Sequence, residues 1–150
     1  MLFCEVIINM QDTELLQFIH KTAQMGVESL RDIEPMVREN ALYNAISSQI
    51  REYRCIAGCA NRMLEERGES SPGPGTFSKV SSGVMTAVKM MSDNSSSKIA
   101  EMVIQGNTMG ITKGTKHLND YTGNDRQVQA LAKKLIATEQ ANVEQMKPFL

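Results

Sequence analysis

The sequence predicts an all-α fold, a four-helix bundle with a short crossover helix between helices two and three. Apolar residues recur at i, i+3, i+4 and i+7 through most of the chain, which is the spacing of one helix face, and no segment alternates like a half-buried strand. The first and last helix pairs have short connections, whereas the middle connection is about 30 residues long and contains its own amphipathic stretch. A five-helix up-and-down bundle is the alternative.

Composition and charge limit the classes of function. The 150 residues, 41% of them hydrophobic, suit one domain that buries a core. A net charge of −1 without a basic run disfavours nucleic acid or an anionic membrane as partner. The apolar N-terminus lacks the basic segment and cleavage site of a signal peptide, and three cysteines are too few for a secreted disulfide framework. We therefore expect a cytoplasmic protein.

The first half of the chain is predicted to form a helical hairpin. Residues 1–11 carry no helix start signal and are expected to be a flexible tail before the bundle domain, residues 12–150. Helix one begins at Asp12 or Thr13, either of which can cap it, and ends near Pro35. Helix two spans 39–67 and is stopped by Gly68. The inward positions predicted for helix one are Leu15, Phe18, Ile19, Thr22, Gly26, Ser29, Leu30, Ile33 and Val37.

The second half begins with a linker and ends with another hairpin. Residues 68–75, GESSPGPG, have a linker composition, and 77–91 is predicted to be the short crossover helix. A third long helix, 95–121, should be capped by one of the serines that precede it. The last helix spans 125–147 and is closed by Pro148.

Three glycines of the third helix, Gly106, Gly110 and Gly114, share its predicted inward stripe with His117. Each interior glycine costs about 1 kcal/mol relative to alanine, so either close helix packing or space for another group must offset that cost. Counting from the turns places Gly110 level with Glu139 on the last helix. We expect close packing around a small buried polar layer.

Glu139 lies in the middle of the apolar face of its helix, where a carboxylate must be paired, hydrogen-bonded, protonated or metal-bound. The same counting places Gly26 opposite Glu52 and Tyr53. The candidate residues for a site at this level are Glu139, Asn142, Gln49, Tyr53 and, further along the stripe, His117. The simplest interpretation is an acid satisfied by its polar neighbours or by water.

Four long helices with one crossover, together with the pair Glu139-Gln-Ala-Asn142, resemble the ferritin-like superfamily over residues 12–147. The resemblance implies a carboxylate-bridged di-metal site built from a Glu on two helices and a Glu-x-x-His pair on the other two. Here Asn142 stands in place of the His, and Glu52-Tyr-Arg-Cys55 has Cys where His is expected. The chain is therefore most similar to uncharacterised, metal-poor bacterial members. That likeness implies no cofactor, with iron or manganese held around Glu139 as the alternative.

Other features favour binding or structure over catalysis. The thiols of Cys55 and Cys59 lie one turn apart and are expected to pack beneath the 77–91 helix, the alternatives being a soft-metal site and an oxidisable pair. The glycine stripe could instead be a subunit contact, and a homo-oligomer is expected. No phosphate loop, nucleophile elbow or Ser/His/Asp set is visible. The sequence thus predicts a non-catalytic binding or structural protein.

Overall fold

The computed structural model describes residues 2–71 and 93–150, with the side chains of α1 described from Gln11 onward. Within these ranges the chain forms four α-helices and two 3-10 turns and contains no strand, so the all-α prediction is confirmed. None of these helices is both long enough and apolar enough to cross a membrane. The helices are α1 (Leu2–Ile33), α2 (Asn40–Glu66), α3 (Ser96–Asp120) and α4 (Arg126–Met146), and the 3-10 turns are Glu34–Met36 and Lys147–Phe149.

Helix boundaries agree with the sequence prediction except at the beginning of the chain. Each of α2, α3 and α4 is one residue shorter at each end than predicted. Ser95 caps α3 by accepting a hydrogen bond from the Lys98 amide (3.3 Å), and Gly68 has the left-handed φ of 71° that lets the chain leave α2. The crossover helix predicted over 77–91 lies outside the described residues.

The start of α1 is a correction. The helix begins at Leu2, not at Asp12 or Thr13, because residues 2–11 contain no glycine or proline and an existing helix extends without a cap. The predicted boundary between a tail, 1–11, and a bundle domain, 12–150, therefore falls inside α1. The flexibility of that segment stays a prediction.

Contacts at one end of the bundle fix the chain directions. Gln11 Oε1 accepts hydrogen bonds from the amide and hydroxyl of Thr122 (3.2 and 2.6 Å), and Arg67 forms an ion pair with Asp125 (2.5 Å). The end of α2 and the α3–α4 turn therefore lie at the same end as Gln11. It follows that α2 and α3 run in the same direction, and the connection between them joins opposite ends of the bundle, as in one-crossover bundles.

The core extends along the whole bundle, and α1 contributes to it differently from the prediction. Phe18, Thr22, Gly26, Ser29 and Val37 are only partly buried. The cause is that α1 contacts α2, α3 and α4, so that most of its circumference is half-covered instead of one stripe being buried. The fully buried positions of α1 that the predicted stripe omitted are Asp12, Leu16, Ala23 and Val27.

Candidate functional site: a polar layer and an adjoining pocket

Four buried polar side chains meet halfway along the bundle, and we call them the mid-bundle polar layer: Tyr53 of α2, Asn107 of α3, and Glu139 and Asn142 of α4. Their exposed fractions are 3%, 4%, 2% and 4%. Three of them were predicted to lie at this level from hairpin counting. Asn107 was missed, although its spacing from Val103 and Gly110 (i, i+4, i+7) places it on the buried face of α3.

Hydrogen bonds join these side chains across the bundle. The Tyr53 hydroxyl oxygen lies 2.7 Å from Asn107 Oδ1 and 3.2 Å from Glu139 Oε1. Asn142 Nδ2 donates to Asn107 Oδ1 (3.1 Å), and Asn107 Nδ2 donates to the carbonyl oxygen of Val103 (2.9 Å). A phenol has a single proton and can donate to only one of its two neighbours. If it donates to the nearer oxygen, on Asn107, then the proton in the Glu139–Tyr53 contact must come from Glu139.

Burial favours the neutral form of the Glu139 carboxyl. Burial raises its pKa to about 8, and the contact with Tyr53, which lowers the pKa, offsets only part of that effect. Burial also raises the pKa of Tyr53 above its usual range. Burial therefore favours the protonated form of both groups at neutral pH. The Tyr53 hydroxyl is within hydrogen-bonding distance of both Asn107 Oδ1 and Glu139 Oε1, and with Glu139 protonated the layer carries no net charge.

Two glycines provide the space that this layer occupies. A Cβ atom on Gly110 would lie 2.5 Å from Glu139 Cδ, and one on Gly26 would lie 2.7 Å from Tyr53 Cε2. Both juxtapositions confirm the registers counted from the sequence. The expected role of Gly110 is corrected, however, because it makes room for the Glu139 carboxyl and not for a close approach of two backbones.

The other two glycines of the predicted stripe have different surroundings. A Cβ on Gly106 would meet nothing within 4 Å, so this glycine faces open space, whereas one on Gly114 would lie 3.1 Å from Ile136 Cγ1. Residues four apart in a helix differ in direction by about 40°, so three glycines at this spacing cannot face one neighbour equally. The prediction that Gly106 faces inward is wrong.

The two histidines lie away from the layer. His117 is exposed, stacks on the Phe18 ring (centroids 3.7 Å apart) and places Nδ1 2.9 Å from the Lys113 carbonyl oxygen. Its predicted place on the inward stripe is wrong, because at this level the flank of α3 lies against α1. His20 is half-buried with no hydrogen-bond partner for Nδ1 among the described residues, and burial lowers its pKa.

The remaining side chains singled out in the sequence lie on the outside of α2. Glu52 and Cys55 are exposed, and Cys59 is partly buried. Glu52-Tyr-Arg-Cys55 thus contributes only Tyr53 to the interior. The expected packing of the thiols under the 77–91 helix lies outside the described residues.

A pocket of about 380 Å³ lies between α2 and α4, on one side of the polar layer. Gln49 is 1% exposed and donates from Nε2 to Gln145 Oε1 (2.9 Å), while its Oε1 has no partner among the described residues. The pattern that could have revealed this pocket is a run of small and polar residues on facing sides of two antiparallel helices. The lining residues are Ser48, Gln49, Glu52, Thr138, Ala141, Asn142 and Gln145.

The residues of the polar layer do not fit a di-metal centre. Such a centre in a bundle uses several carboxylates and histidines, and Glu139 is the one acid in this layer, protonated at neutral pH. Across the described parts of the chain, no three His, Cys, Asp or Glu side chains are grouped so that they could hold a metal ion. Tyr53, Asn107 and Asn142 instead satisfy one another by hydrogen bonds.

Comparison of the chain with family models, with curated proteins and with solved structures gave no match. The resemblance to the ferritin-like superfamily therefore stays a prediction.

Proposed function

We propose that the protein is a non-catalytic binding protein of ferritin-like architecture, in which a neutral polar layer stands where a di-metal site would be. The observation that carries this proposal is the buried Glu139 carboxyl, 2% exposed and in contact with Tyr53, whose burial favours its neutral form. A protonated carboxyl is a poor ligand for a cation, because the cation must displace the proton. The amides and the phenol around it act by hydrogen bonding.

Two further observations support the architecture. The parallel directions of α2 and α3 require a connection along the length of the bundle, as in ferritin-like folds. Asn142 lies one turn after Glu139, at the position where the resemblance implies a histidine ligand. Its side-chain amide donates a hydrogen bond to Asn107 and so joins α4 to α3.

Metal analysis tests this proposal. Protein purified under metal-replete conditions should contain no stoichiometric iron, manganese or zinc, and Glu139→Gln should fold and retain the bundle. Stoichiometric metal in the natural chain that is lost in Glu139→Ala would overturn the proposal.

The alternative is a divergent iron- or manganese-binding protein, or an oxidase, centred on Glu139. One observation favours it: Glu139 Oε2 is buried and has no hydrogen-bond partner among the described residues. A metal ion bound there would displace the carboxyl proton, so its affinity should rise about tenfold per pH unit up to the carboxyl pKa of about 8 and level off above it. Metal titration at two pH values, one on each side of that pKa, separates the two functions.

We also propose a cytoplasmic homo-oligomer that does not act on nucleic acid or membranes, as the balanced charge suggests. Met109, 59% exposed, lies on the outer face of α3 near Gly106, and an apolar subunit contact there would cover both. Sedimentation analysis should show an oligomer that Met109→Lys weakens. A monomer at all concentrations would contradict this part of the proposal.

A further inference from the structure

We propose that Cys55 and Cys59, on the outside of α2, form a binding site for a soft monovalent metal ion, copper(I), which is held between the two sulfur atoms. The site lies apart from the mid-bundle polar layer and does not depend on the function proposed for that layer. Both thiols are free, Cys55 is exposed and Cys59 is partly buried. A metal ion can therefore reach the pair from the solvent.

The spacing of the two thiols suits a bridging ion better than a disulfide. Both belong to the continuous helix α2, in which residues four apart share a face and have Cβ atoms about 5–6 Å apart. A disulfide needs Cβ atoms about 3.5–4.5 Å apart, so the helix opposes direct oxidation of the pair. A metal–thiolate bond is about 2.3 Å long, as measured for zinc, so two bonds in line separate the sulfurs by about 4.6 Å. Rotation about the two Cα–Cβ bonds reaches that separation without bending α2.

The number of ligands selects the ion. Structural zinc sites need about four ligands, and calcium sites need about six or more. Within the described parts of the chain, no third His, Cys, Asp or Glu is grouped with the two thiols. Soft thiolates select copper(I), which is stable with two ligands in line. The pair therefore completes the coordination of copper(I) and leaves that of zinc incomplete.

Arginine side chains on the same helix supply positive charge at the pair. Arg62 Nη2 donates to Cys59 Sγ (3.7 Å), and Arg51 is exposed one turn before Cys55. Neither arginine makes an ion pair with the described residues, and together they outweigh the exposed acid Glu52. Each thiol releases its proton to the solvent as its sulfur binds the ion, so two thiolates and one monovalent ion leave a single negative charge. The two guanidinium groups offset that charge.

The helix surface beside the thiols is open. Gly58 directly precedes Cys59, and a Cβ atom on it would meet nothing within 4 Å. A small chelator can therefore approach the bound ion from this side. We expect the site to exchange its ion readily, and a competition experiment should reach equilibrium.

The test is a titration of copper(I) into the full, reduced chain without oxygen, in competition with the chelator bicinchoninate. X-ray absorption then counts the sulfur ligands of the bound ion. We expect one ion per chain, with about two sulfur ligands. The variants are Cys55→Ser and Cys59→Ser, with Cys4→Ser as the matched control, because Cys4 is the third cysteine of the chain and belongs to α1.

Cys55→Ser and Cys59→Ser should each weaken copper(I) binding about a hundredfold or more, because a hydroxyl is a poor ligand for a soft ion, and Cys4→Ser should leave it unchanged. Arg62→Gln should weaken it about fivefold, as expected for a partly solvated charge. Because Cys55 is exposed, its variant should fold and report on binding even if Cys59→Ser proves unstable.

Unchanged affinity in Cys55→Ser, loss of binding in Cys4→Ser, three or more sulfur ligands at the ion, or equally tight binding of zinc would overturn the inference. Glu139→Gln should bind copper(I) as the natural chain does. The polar-layer proposal and this one therefore fail separately.

Discussion

The two helical hairpins use the same device for different side chains. In the first hairpin Gly26 of α1 faces Tyr53 of α2, and in the second Gly110 of α3 faces Glu139 of α4. The two side chains then meet at the Tyr53–Glu139 contact. Each glycine lowers the helix propensity of its segment, but it leaves the space that a large or polar side chain needs inside the bundle.

The difference between the hairpins lies in what fills that room. Most of Tyr53 is an apolar ring, and its one polar atom has partners, so its burial stabilises the fold. Glu139 brings a carboxyl group that must stay protonated, and one of its oxygens has no partner among the described residues. We therefore expect the stability contributed by Tyr53 in the first hairpin to be insensitive to pH, whereas the stability contributed by Glu139 in the second hairpin should depend on it.

The largest expected effect is the pH dependence from Glu139. Its folded pKa of about 8 lies above the ordinary value of 4.5, so between these pH values the folded state binds more protons than the unfolded state. Stability from this group is therefore complete below pH 4.5 and is lost as the pH rises through 8. Over that interval the free energy of unfolding should fall by roughly 4 kcal/mol relative to Glu139→Gln.

Urea denaturation at a series of pH values, carried out on the natural chain and on Glu139→Gln, measures this difference. Subtracting the two curves removes the contributions of all other titrating groups. Parallel curves would show that Glu139 is ionised in the folded state, which would contradict the assignment of a neutral polar layer.

The second effect is overpacking at Gly110. Gly110→Leu places a side chain where the Glu139 carboxyl lies, and we expect a loss of about 3 kcal/mol in the free energy of unfolding. Gly106→Leu is the matched control one turn away, where nothing lies within 4 Å of an added Cβ. It should be neutral or slightly stabilising, because leucine has the higher helix propensity. Equal losses at the two positions would contradict the assignment of the occupied space to Gly110.

The smallest effect is in the first hairpin. Gly26→Ala adds a methyl group 2.7 Å from the Tyr53 ring, which buried packing and the hydroxyl contacts hold in place, and we expect a loss of about 2 kcal/mol. Gly58→Ala on α2 is the control, since nothing lies near its Cβ position, and it should be stabilising. Thermal or chemical denaturation compares the two variants. A stabilised Gly26→Ala would show that the ring moves freely, and the parallel between the hairpins would fail.

Much of the candidate site could be predicted from residue counting within each hairpin. The short turns and the constant rise of a helix set which residues are level, and this placed Gly110 beside Glu139 and Gly26 beside Tyr53. Counting could not supply contacts between hairpins. Asn107 was missed for a different reason, because the predicted inward stripe of α3 ran through Gly106 and not through Asn107.

By itself, the sequence determined the all-α class, the bounds of α2, α3 and α4 to within one residue, the stop of α2 at Gly68, the serine cap of α3 and the register within each hairpin. These features depend on local periodicity and turn length. Only the tertiary structure decided how far each helix is rotated about its own axis. That rotation turned Gly106 outward, left His117 stacked on Phe18 and buried the Gln49 carbonyl oxygen without a donor from the described residues. Rotation is set by the simultaneous packing of all four helices, and no single amphipathic stripe contains that information.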